Sequence, residues 1–248
     1  MSAVVITGGA SGIGLACAEV LTAAGRDVAL WDINEQNLQA TAEALSNSGQ
    51  HISTHTVDVS QLDSLAAAVA QSLEQHPQIG GLVHAAGVDG AIPLAQMSPE
   101  QWQRVIDINL SAMPFIIKAL RETLSQQNGA AIVGIASINA TLGNGANPAY
   151  SASKAGMLGL VRALADDLAS DGIRINAVSP GQIDTPMLQA SMDAVDGLRA
   201  AFEKRILLGR LGSPREVAQA VGFLLSTQAS YITAAELVVD GGNLSSQR

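Results

Sequence analysis

Cysteine and aromatic residues are scarce in this chain. Cys17 is the single cysteine among 248 residues, so no internal disulfide can form, and this is compatible with a reducing compartment. Aromatic residues make up 3% of the sequence, whereas hydrophobic residues as a whole make up 48%. The sequence therefore predicts a sizeable core built mainly from alanine, valine, isoleucine and leucine.

Positive charge is also sparse. The 13 lysines and arginines are outnumbered by 22 aspartates and glutamates, which gives a net charge of −9, and the basic residues form no cluster. A nucleic-acid surface needs clustered lysine and arginine to displace counterions. We therefore expect no nucleic-acid partner.

Long apolar runs are missing as well. No run reaches the ~20 apolar residues that a membrane helix requires. The first residues, MSAVVITGG, lead directly into a predicted strand without the charged and apolar regions of a secretory signal. We expect a cytoplasmic protein with no membrane partner.

Short β-branched runs alternate with helical patterns along the whole chain. Strands are predicted at 3–7, 28–31, 52–57, 82–86, 131–136, 173–178 and 237–239. Helices are predicted from the glycine-rich turn to about residue 24, at 35–45, at 62–73, after Ser98, at 149–168 and from about 213. This alternation favours an α/β fold: a Rossmann-like, doubly wound parallel sheet flanked by helices, in a single domain spanning 1–248.

The segment 184–211 interrupts the alternation. It is polar, helical in parts and rich in Met, Ala and Asp, and no strand is predicted within it. A long insertion after a late strand is a candidate lid over a ligand crevice. An ordinary pair of surface helices is the alternative.

A glycine-rich turn follows the first predicted strand, with Gly8, Gly12 and Gly14 in a T-G-x-x-x-G-x-G arrangement. Without Cβ atoms the backbone can turn tightly, and a pyrophosphate can approach the N-terminus of the next helix. An isolated turn of this type is weak evidence, but here it lies between a strand and a helix, as a dinucleotide site requires.

Asp32 ends the second predicted strand, 18 residues after Gly14. An acidic residue near this offset accepts hydrogen bonds from the adenosine ribose and repels a 2′-phosphate. Ile33 follows it, and no Arg or Lys nearby would attract that phosphate. The sequence therefore favours NAD over NADP, with a simple strand-end aspartate as the alternative.

Tyr150 and Lys154 are four residues apart on a predicted helix and so share one face. Tyrosine is a poor base at neutral pH, and a nearby ammonium group is expected to lower its pKa. Ser137 lies at the carboxyl end of the fifth predicted strand, where ligands bind in open α/β sheets. Its hydroxyl is predicted to hold a substrate oxygen while Tyr150 exchanges a proton.

Together these motifs make the chain resemble a classical short-chain dehydrogenase/reductase over its whole length. The matching segments are TGGASGIG, Asp58-Val59, His84-Ala85-Ala86-Gly87, Asn109, Ser137, Tyr150-x-x-x-Lys154, Pro180-Gly181, Ile183-x-Thr185 and Val239-Asp240-Gly241-Gly242. The resemblance implies an NAD(P)-dependent enzyme that acts on CH–OH groups. It also implies a homotetramer in which the helices starting near Ser98 and Ala149 pack against partner copies.

The resemblance also implies roles for individual residues. Tyr150 would be the acid/base, and Ser137 would position the substrate oxygen. Lys154 would lower the tyrosine pKa and hold the nicotinamide ribose, while Asn109 would distort its helix and hold a water in the proton relay. Asp58 and Val59 would contact adenine, and Thr185, with Ile183 beside it, the nicotinamide carboxamide. The remaining cofactor-binding residues are predicted to be Gly8, Ser11, Gly12, Ile13, Gly14, Asp32, Ala86, Gly87 and Pro180. Helix capping by Thr185 and simple burial of Asn109 are the alternatives.

One residue departs from the family pattern. The family usually has Asn where this chain has His84, and because imidazole can also make a hydrogen bond there we expect a structural substitution. The histidines at 51, 55, 76 and 84 show no metal-ligand spacing with each other or with Cys17, so no catalytic metal is predicted.

The substrate is the least determined part of the prediction. Besides Ser137, the residues expected to face the reacting carbon are Asn139, Asn147, Gln182 and Met187, and the three amides suggest a sugar or polyol. A secondary-alcohol dehydrogenase is the main hypothesis. The alternatives are a 3-oxoacyl-acyl-carrier-protein reductase, a type that usually uses NADPH, and a catalytically silent dinucleotide sensor.

Overall fold

The computed structural model describes residues 2–247 and contains a seven-stranded parallel sheet. The strands are β1 (Ala3–Thr7), β2 (Val28–Asp32), β3 (Ile52–Thr56), β4 (Ile79–His84), β5 (Ala131–Ile135), β6 (Arg174–Pro180) and β7 (Glu236–Val239). Their order is β3-β2-β1-β4-β5-β6-β7. The order reverses between β1 and β4, and the crevice at the carboxyl ends of such a pair is where ligands bind in open sheets. The predicted doubly wound fold is confirmed.

Helices cover both faces of this sheet. They are α1 (Gly12–Ala23), α2 (Glu35–Leu45), α3 (Leu65–Gln75), α4 (Pro99–Ile106), α5 (Ala112–Ser125), α6 (Asn139–Leu142), α7 (Pro148–Ala169), α8 (Pro186–Ala194), α9 (Leu198–Arg205) and α10 (Pro214–Leu225). A π-helical turn, Asp107–Ser111, joins α4 to α5. None of the helices between residues 2 and 247 combines the length and apolar character needed to cross a bilayer.

Successive strand residues point into two separate cores. Val5 and Trp31 lie in the core beneath α3, α5 and α7, whereas Val4 and Ile6 lie in the core beneath α1 and α10. A parallel sheet buried on both faces needs such continuous apolar strands. The buried Trp31 indole donates to Ser72 Oγ on α3 at 2.9 Å, which satisfies its one polar atom.

Two strands differ from their predicted bounds by two or more residues at one end or both. The fourth was predicted at 82–86 but spans Ile79–His84, because the low strand propensity of Gly80 and Gly81 hid its first half. Ala85 and Ala86 instead form a turn beneath the glycine loop, where a Cβ on Gly8 would lie 2.9 Å from the Ala86 backbone. The sixth strand was predicted at 173–178 but spans Arg174–Pro180. It continues to Pro180 because Ser179 and Pro180 still pair with β7.

Candidate active site

The glycine-rich turn forms a tight cradle between β1 and α1. Gly8 and Gly12 adopt positive φ angles of 65° and 52°, a conformation that side chains with a Cβ rarely adopt. A Cβ on Gly14 would lie 2.0 Å from the Gly8 carbonyl oxygen. The three glycines are therefore required by backbone geometry, as their spacing predicted.

The N-terminus of α1 is left open for an anion. Ser11 is its N-cap residue but makes no side-chain capping bond, and the first turn carries no acidic residue. The first backbone N–H groups of a helix lack internal partners and attract negative charge. This end of α1, with Ile13 beside it, lines a cavity of about 1450 Å³ and fits the pyrophosphate of a dinucleotide.

Asp32 faces the same turn from the end of β2. Its Oδ2 accepts a hydrogen bond from the Ala10 N–H at 3.2 Å, and its Oδ1 accepts one from the Asn34 N–H at 3.0 Å. The carboxylate therefore both fixes the loop and borders the cavity. Farther along the cavity, Val59 is buried, and the pKa of Asp58 is lowered, chiefly by its hydrogen bond from Ser60 and also by the charge of Arg104.

Ser137, Tyr150 and Lys154 come together at the carboxyl edge of the sheet. Ser137 follows β5, while Tyr150 and Lys154 lie one turn apart at the start of α7. Both hydroxyl side chains line the cavity, and Ser137 acts to lower the pKa of Tyr150. Lys154 Nζ lies 5.5 Å from the Tyr150 ring centre and donates to the Ile135 carbonyl at 2.7 Å. The three side chains that the sequence placed in one site therefore share one wall of the cavity.

The ionisation of this pair differs from the sequence expectation. Burial raises the pKa of Tyr150 to about 12; the hydrogen bond from Ser137 opposes this effect, and the charge of Asp89 adds to it. Burial also lowers the pKa of Lys154 to about 8. The pKa of Tyr150 is thus raised rather than lowered in the protein alone, because burial disfavours the charged phenolate.

Asn109 lies in the π-helical turn, which agrees with the predicted distortion of its helix. Its buried Oδ1 accepts from the Val88 N–H at 2.8 Å, and its Nδ2 donates to the Val88 carbonyl at 3.0 Å and to Ser153 Oγ at 3.2 Å. Asn109 thus joins the loop after β4 to α7. Single π-helical turns within a helix, known as π-bulges, are frequent at functional sites.

His84 is completely buried and hydrogen-bonded to Thr7: its Nδ1 and Thr7 Oγ1 are 3.0 Å apart. The Thr7 oxygen also accepts from the Ala86 N–H at 3.1 Å. Burial, with the nearby charge of Lys154, lowers the pKa of His84 to about 3. The side chain is therefore neutral at pH 7 and supports the turn beneath the glycine loop, as a structural substitution would.

This buried histidine predicts an acid-sensitive stability. The histidine of the unfolded chain has a pKa near 6.5, so between pH 6.5 and about 3 the unfolded state binds one more proton than the folded state. The free energy of unfolding therefore decreases as the pH is lowered through this range. From pH 7 to pH 5, wild type should lose ~2 kcal/mol more than His84→Asn, which keeps a hydrogen-bonding side chain but cannot titrate. Urea denaturation at both pH values and one protein concentration measures the difference. Parallel losses in the two proteins would contradict the assignment.

Most of the predicted substrate and nicotinamide residues line the same cavity. They include Asn139, Gln182, Ile183, Thr185 and Met187, together with Ala86, Gly87 and Pro180. Thr185 caps α8, because its Oγ1 accepts from the Leu188 N–H at 3.3 Å, which was the alternative interpretation of this residue. The hydroxyl still borders the cavity, so capping does not remove it from the site.

Asn147 also lines the cavity, and its predicted contact with the substrate stays a prediction. Its side chain is 2% exposed, and its amide donates to the main-chain oxygen of Asp89 at 2.7 Å and to the Asp89 carboxylate. Asp89 and Ser191, which also acts on its carboxylate, were not among the predicted site residues. Asp89 lies only two residues after Gly87, so its position near a strand's carboxyl end was the available indication.

The chain is similar over nearly its whole length to known proteins. A family model described as enoyl-(acyl carrier protein) reductase matches residues 8–243. A 3-oxoacyl-(acyl-carrier-protein) reductase from Chlamydia pneumoniae is 37% identical over 239 residues, which cover 96% of this chain and 95% of the relative. A cyclopentanol dehydrogenase from a Comamonas species is 38% identical over 240 residues, which cover 96% and 95%.

A solved structure has the same architecture. The short-chain dehydrogenase/reductase of Brucella melitensis, described as a glucose/ribitol dehydrogenase, matches with a TM-score of 0.91 at 35% identity. The match covers 98% of this chain and 96% of that one.

Proposed function

The chain belongs to the classical short-chain dehydrogenase/reductase family, and from this premise we propose that it is an NAD-dependent enzyme interconverting a secondary alcohol and its ketone. Family membership makes it an oxidoreductase that uses a nicotinamide dinucleotide. The observation that carries the proposal is that Ser137, Tyr150 and Lys154, with the lysine one turn from the tyrosine, line a cavity that also contains the glycine cradle.

In alcohol oxidation the substrate loses a hydride from carbon and a proton from oxygen. A nicotinamide dinucleotide held by the glycine cradle would supply the hydride acceptor and, in its oxidised form, a positive charge. Tyr150 Oη takes the proton, and Ser137 Oγ holds the substrate oxygen in line with it. Lys154, with a pKa of about 8, is largely protonated at pH 7, so it favours the phenolate once the charge from the ligand offsets the cost of burial.

Asp32 supports NAD as the cofactor. Its carboxylate borders the cavity beyond the glycine cradle, where a ribose hydroxyl would donate to it and a 2′-phosphate would be repelled. Two arginines line the cavity. The charge of Arg104 lowers the pKa of Asp58, and Arg205 is the last residue of α9. Neither forms a hydrogen bond or ion pair with Asp32 within residues 2–247.

We assign the segment 184–211 as a lid. It forms α8 and α9, and its inward residues, among them Met187, Leu188 and Phe202, line the same cavity as Ser137 and Tyr150. A helix pair with no strand partner of its own can move without breaking the sheet. Closure would exclude water from the reacting carbon.

The polar lining of the cavity supports a hydroxylated substrate, such as a polyol or sugar. Asn139 and Gln182 border the cavity near Ser137, and both amides can donate and accept hydrogen bonds. The cyclopentanol dehydrogenase and the glucose/ribitol dehydrogenase are similar chains with alcohol substrates in their names.

A 3-oxoacyl-acyl-carrier-protein reductase is the second candidate, because the relative from Chlamydia pneumoniae bears that name. The two candidates differ in cofactor and substrate. Steady-state assays with NAD or NADP, using cyclic alcohols and polyols in one direction and a 3-oxoacyl thioester in the other, distinguish them. Efficient thioester reduction with NADPH and no alcohol oxidation would replace the main proposal, and no hydride transfer with any substrate would favour the silent sensor.

We also propose a homotetramer. Trp102 on α4 and Phe115 on α5 are 39% and 46% exposed, which is costly for such large apolar side chains on a monomer. Light scattering at micromolar concentration should give about four times the chain mass of 25.4 kDa. Phe115→Glu should reduce that mass, whereas Tyr231→Phe at an exposed position should not. A wild-type monomer would contradict the proposal.

A further inference from the structure

Asp89 lies in the loop after β4 and is held in place on both its main chain and its side chain. The Asn147 amide donates to the Asp89 carbonyl oxygen and to the carboxylate. Asn147 is 58 residues away from Asp89 in the sequence and almost entirely buried, so it holds Asp89 in a fixed position. The carboxylate is therefore pre-positioned at the cavity wall.

The negative charge of Asp89 has no cationic partner in the part of the chain that the structure describes. The ion pairs there join Arg121 to Asp167 and Asp171, Arg199 to Glu203, and Arg210 to Glu216. Asp89 is half-buried, and burial raises its pKa above the ordinary value even though Asn147 and Ser191 donate to it. A carboxylate kept in such a place is costly unless a ligand supplies hydrogen-bond donors.

Asp89 is close enough to the reacting group to influence it. Its charge acts on Tyr150 and raises the pKa of that phenol. Ser191, which lies on α8 of the lid segment, also acts on the Asp89 carboxylate. Asp89, Tyr150 and Ser191 line the same cavity, so a substrate bound there can contact Asp89 next to its reacting carbon.

We propose that Asp89 determines substrate specificity: it accepts a hydrogen bond from a second hydroxyl of the substrate and excludes substrates with a carboxylate near the reacting carbon. The inference rests on the proposed alcohol dehydrogenase function and deepens it. A carboxylate accepts hydrogen bonds from hydroxyls more strongly than a neutral amide does. It repels a second carboxylate in a partly desolvated cavity.

A matched set of cyclic alcohols tests this inference. Cyclohexanol, the 1,2- and 1,3-cyclohexanediols and 3-hydroxycyclohexanecarboxylate share one ring and differ in a second group. For wild type, kcat/KM with NAD should be at least about tenfold higher for the better diol than for cyclohexanol, and lowest for the carboxylate. Asp89→Asn keeps the size and a bond to Asn147 but removes the charge. It should reduce the diol preference by at least about tenfold and raise the relative rate of the carboxylate by a similar factor.

A pH profile separates this role from a purely structural one. The rise of kcat/KM with pH reports the deprotonation of Tyr150. Because the charge of Asp89 raises the pKa of Tyr150, removing that charge should move the rise to lower pH. Asp193→Asn makes the same substitution on the exposed face of α8 and should leave both substrate ratios and the profile unchanged.

The outcomes distinguish this inference from the function on which it rests. If wild type oxidises none of the alcohols with NAD or NADP, the proposed function fails, and the role of Asp89 fails with it. If wild type oxidises them but Asp89→Asn leaves the substrate ratios unchanged, the function stands and Asp89 is not the determinant. A change of equal size in Asp193→Asn would likewise overturn the assignment.

Discussion

Replacing Tyr150 by phenylalanine should lower kcat for alcohol oxidation by about a thousandfold or more, while the dissociation constant of NAD stays within about twofold. The substitution keeps the ring at the start of α7 and removes only the hydroxyl. No other phenol or imidazole among residues 2–247 lines the cavity, so no side chain of either type there can replace the Tyr150 hydroxyl.

The measurement pairs turnover with binding. NADH formation at saturating NAD gives kcat, and calorimetric titration of NAD into the same preparation gives the dissociation constant. Tyr231→Phe is the matched control, because Tyr231 is the other tyrosine of the chain and is fully exposed. If Tyr150→Phe retained a tenth or more of wild-type turnover, another group would have to carry the proton, and the site assignment would fail.

The pH dependence of the wild-type enzyme bears on the same chemistry. Burial raises the pKa of Tyr150 to about 12 and lowers that of Lys154 to about 8 in the protein without ligand. A tyrosine with that pKa is a poor base at pH 7, so the positive charge of the oxidised nicotinamide is required as well as the lysine.

The sequence predicted the pair from its four-residue spacing but could not weigh burial against the ammonium group, because burial depends on the whole fold.

The fold was predictable because its main determinants are local. Alternating strands and helices specify a parallel sheet, and the glycine spacing after β1 specifies a backbone in which a Cβ at Gly14 would collide with the Gly8 carbonyl. The bounds of α2 and the capping box at Ser98 likewise follow from nearby residues.

The parts that were missed depend on contacts between distant residues. The sequence predicts Asn147 near the substrate but not its contact with Asp89, 58 residues away, because only the fold brings the two together. β4 begins at Ile79, although Gly80 and Gly81 have low strand propensity, because its register with β1 places it in the centre of the sheet. Pairing of this kind has no signature within a short window of sequence.

Replacing Asp32 by alanine should raise the ratio of kcat/KM for NADP to that for NAD by roughly a hundredfold. A carboxylate about 4 Å from a phosphate opposes it by up to ~4 kcal/mol at an effective dielectric of 20, and Asp32 is only half-buried, so solvent reduces the effect. Removing the charge relieves this repulsion and also removes an acceptor for the ribose hydroxyls of NAD. Kinetics with both cofactors and one alcohol measure the ratio.

Asp32→Asn separates the charge from the scaffold. Asparagine can still accept a hydrogen bond from Ala10 or Asn34, so it should shift the selectivity nearly as far as alanine with a smaller loss of melting temperature. Asp166→Asn, on the exposed face of α7, removes the same charge far from the cavity and should leave the ratio unchanged. Unchanged selectivity in both Asp32 variants would mean that this carboxylate only holds the glycine loop. The main evidence against an NADPH-dependent acyl-carrier-protein reductase would then be lost, because the proposed preference for NAD rests on the charge of Asp32.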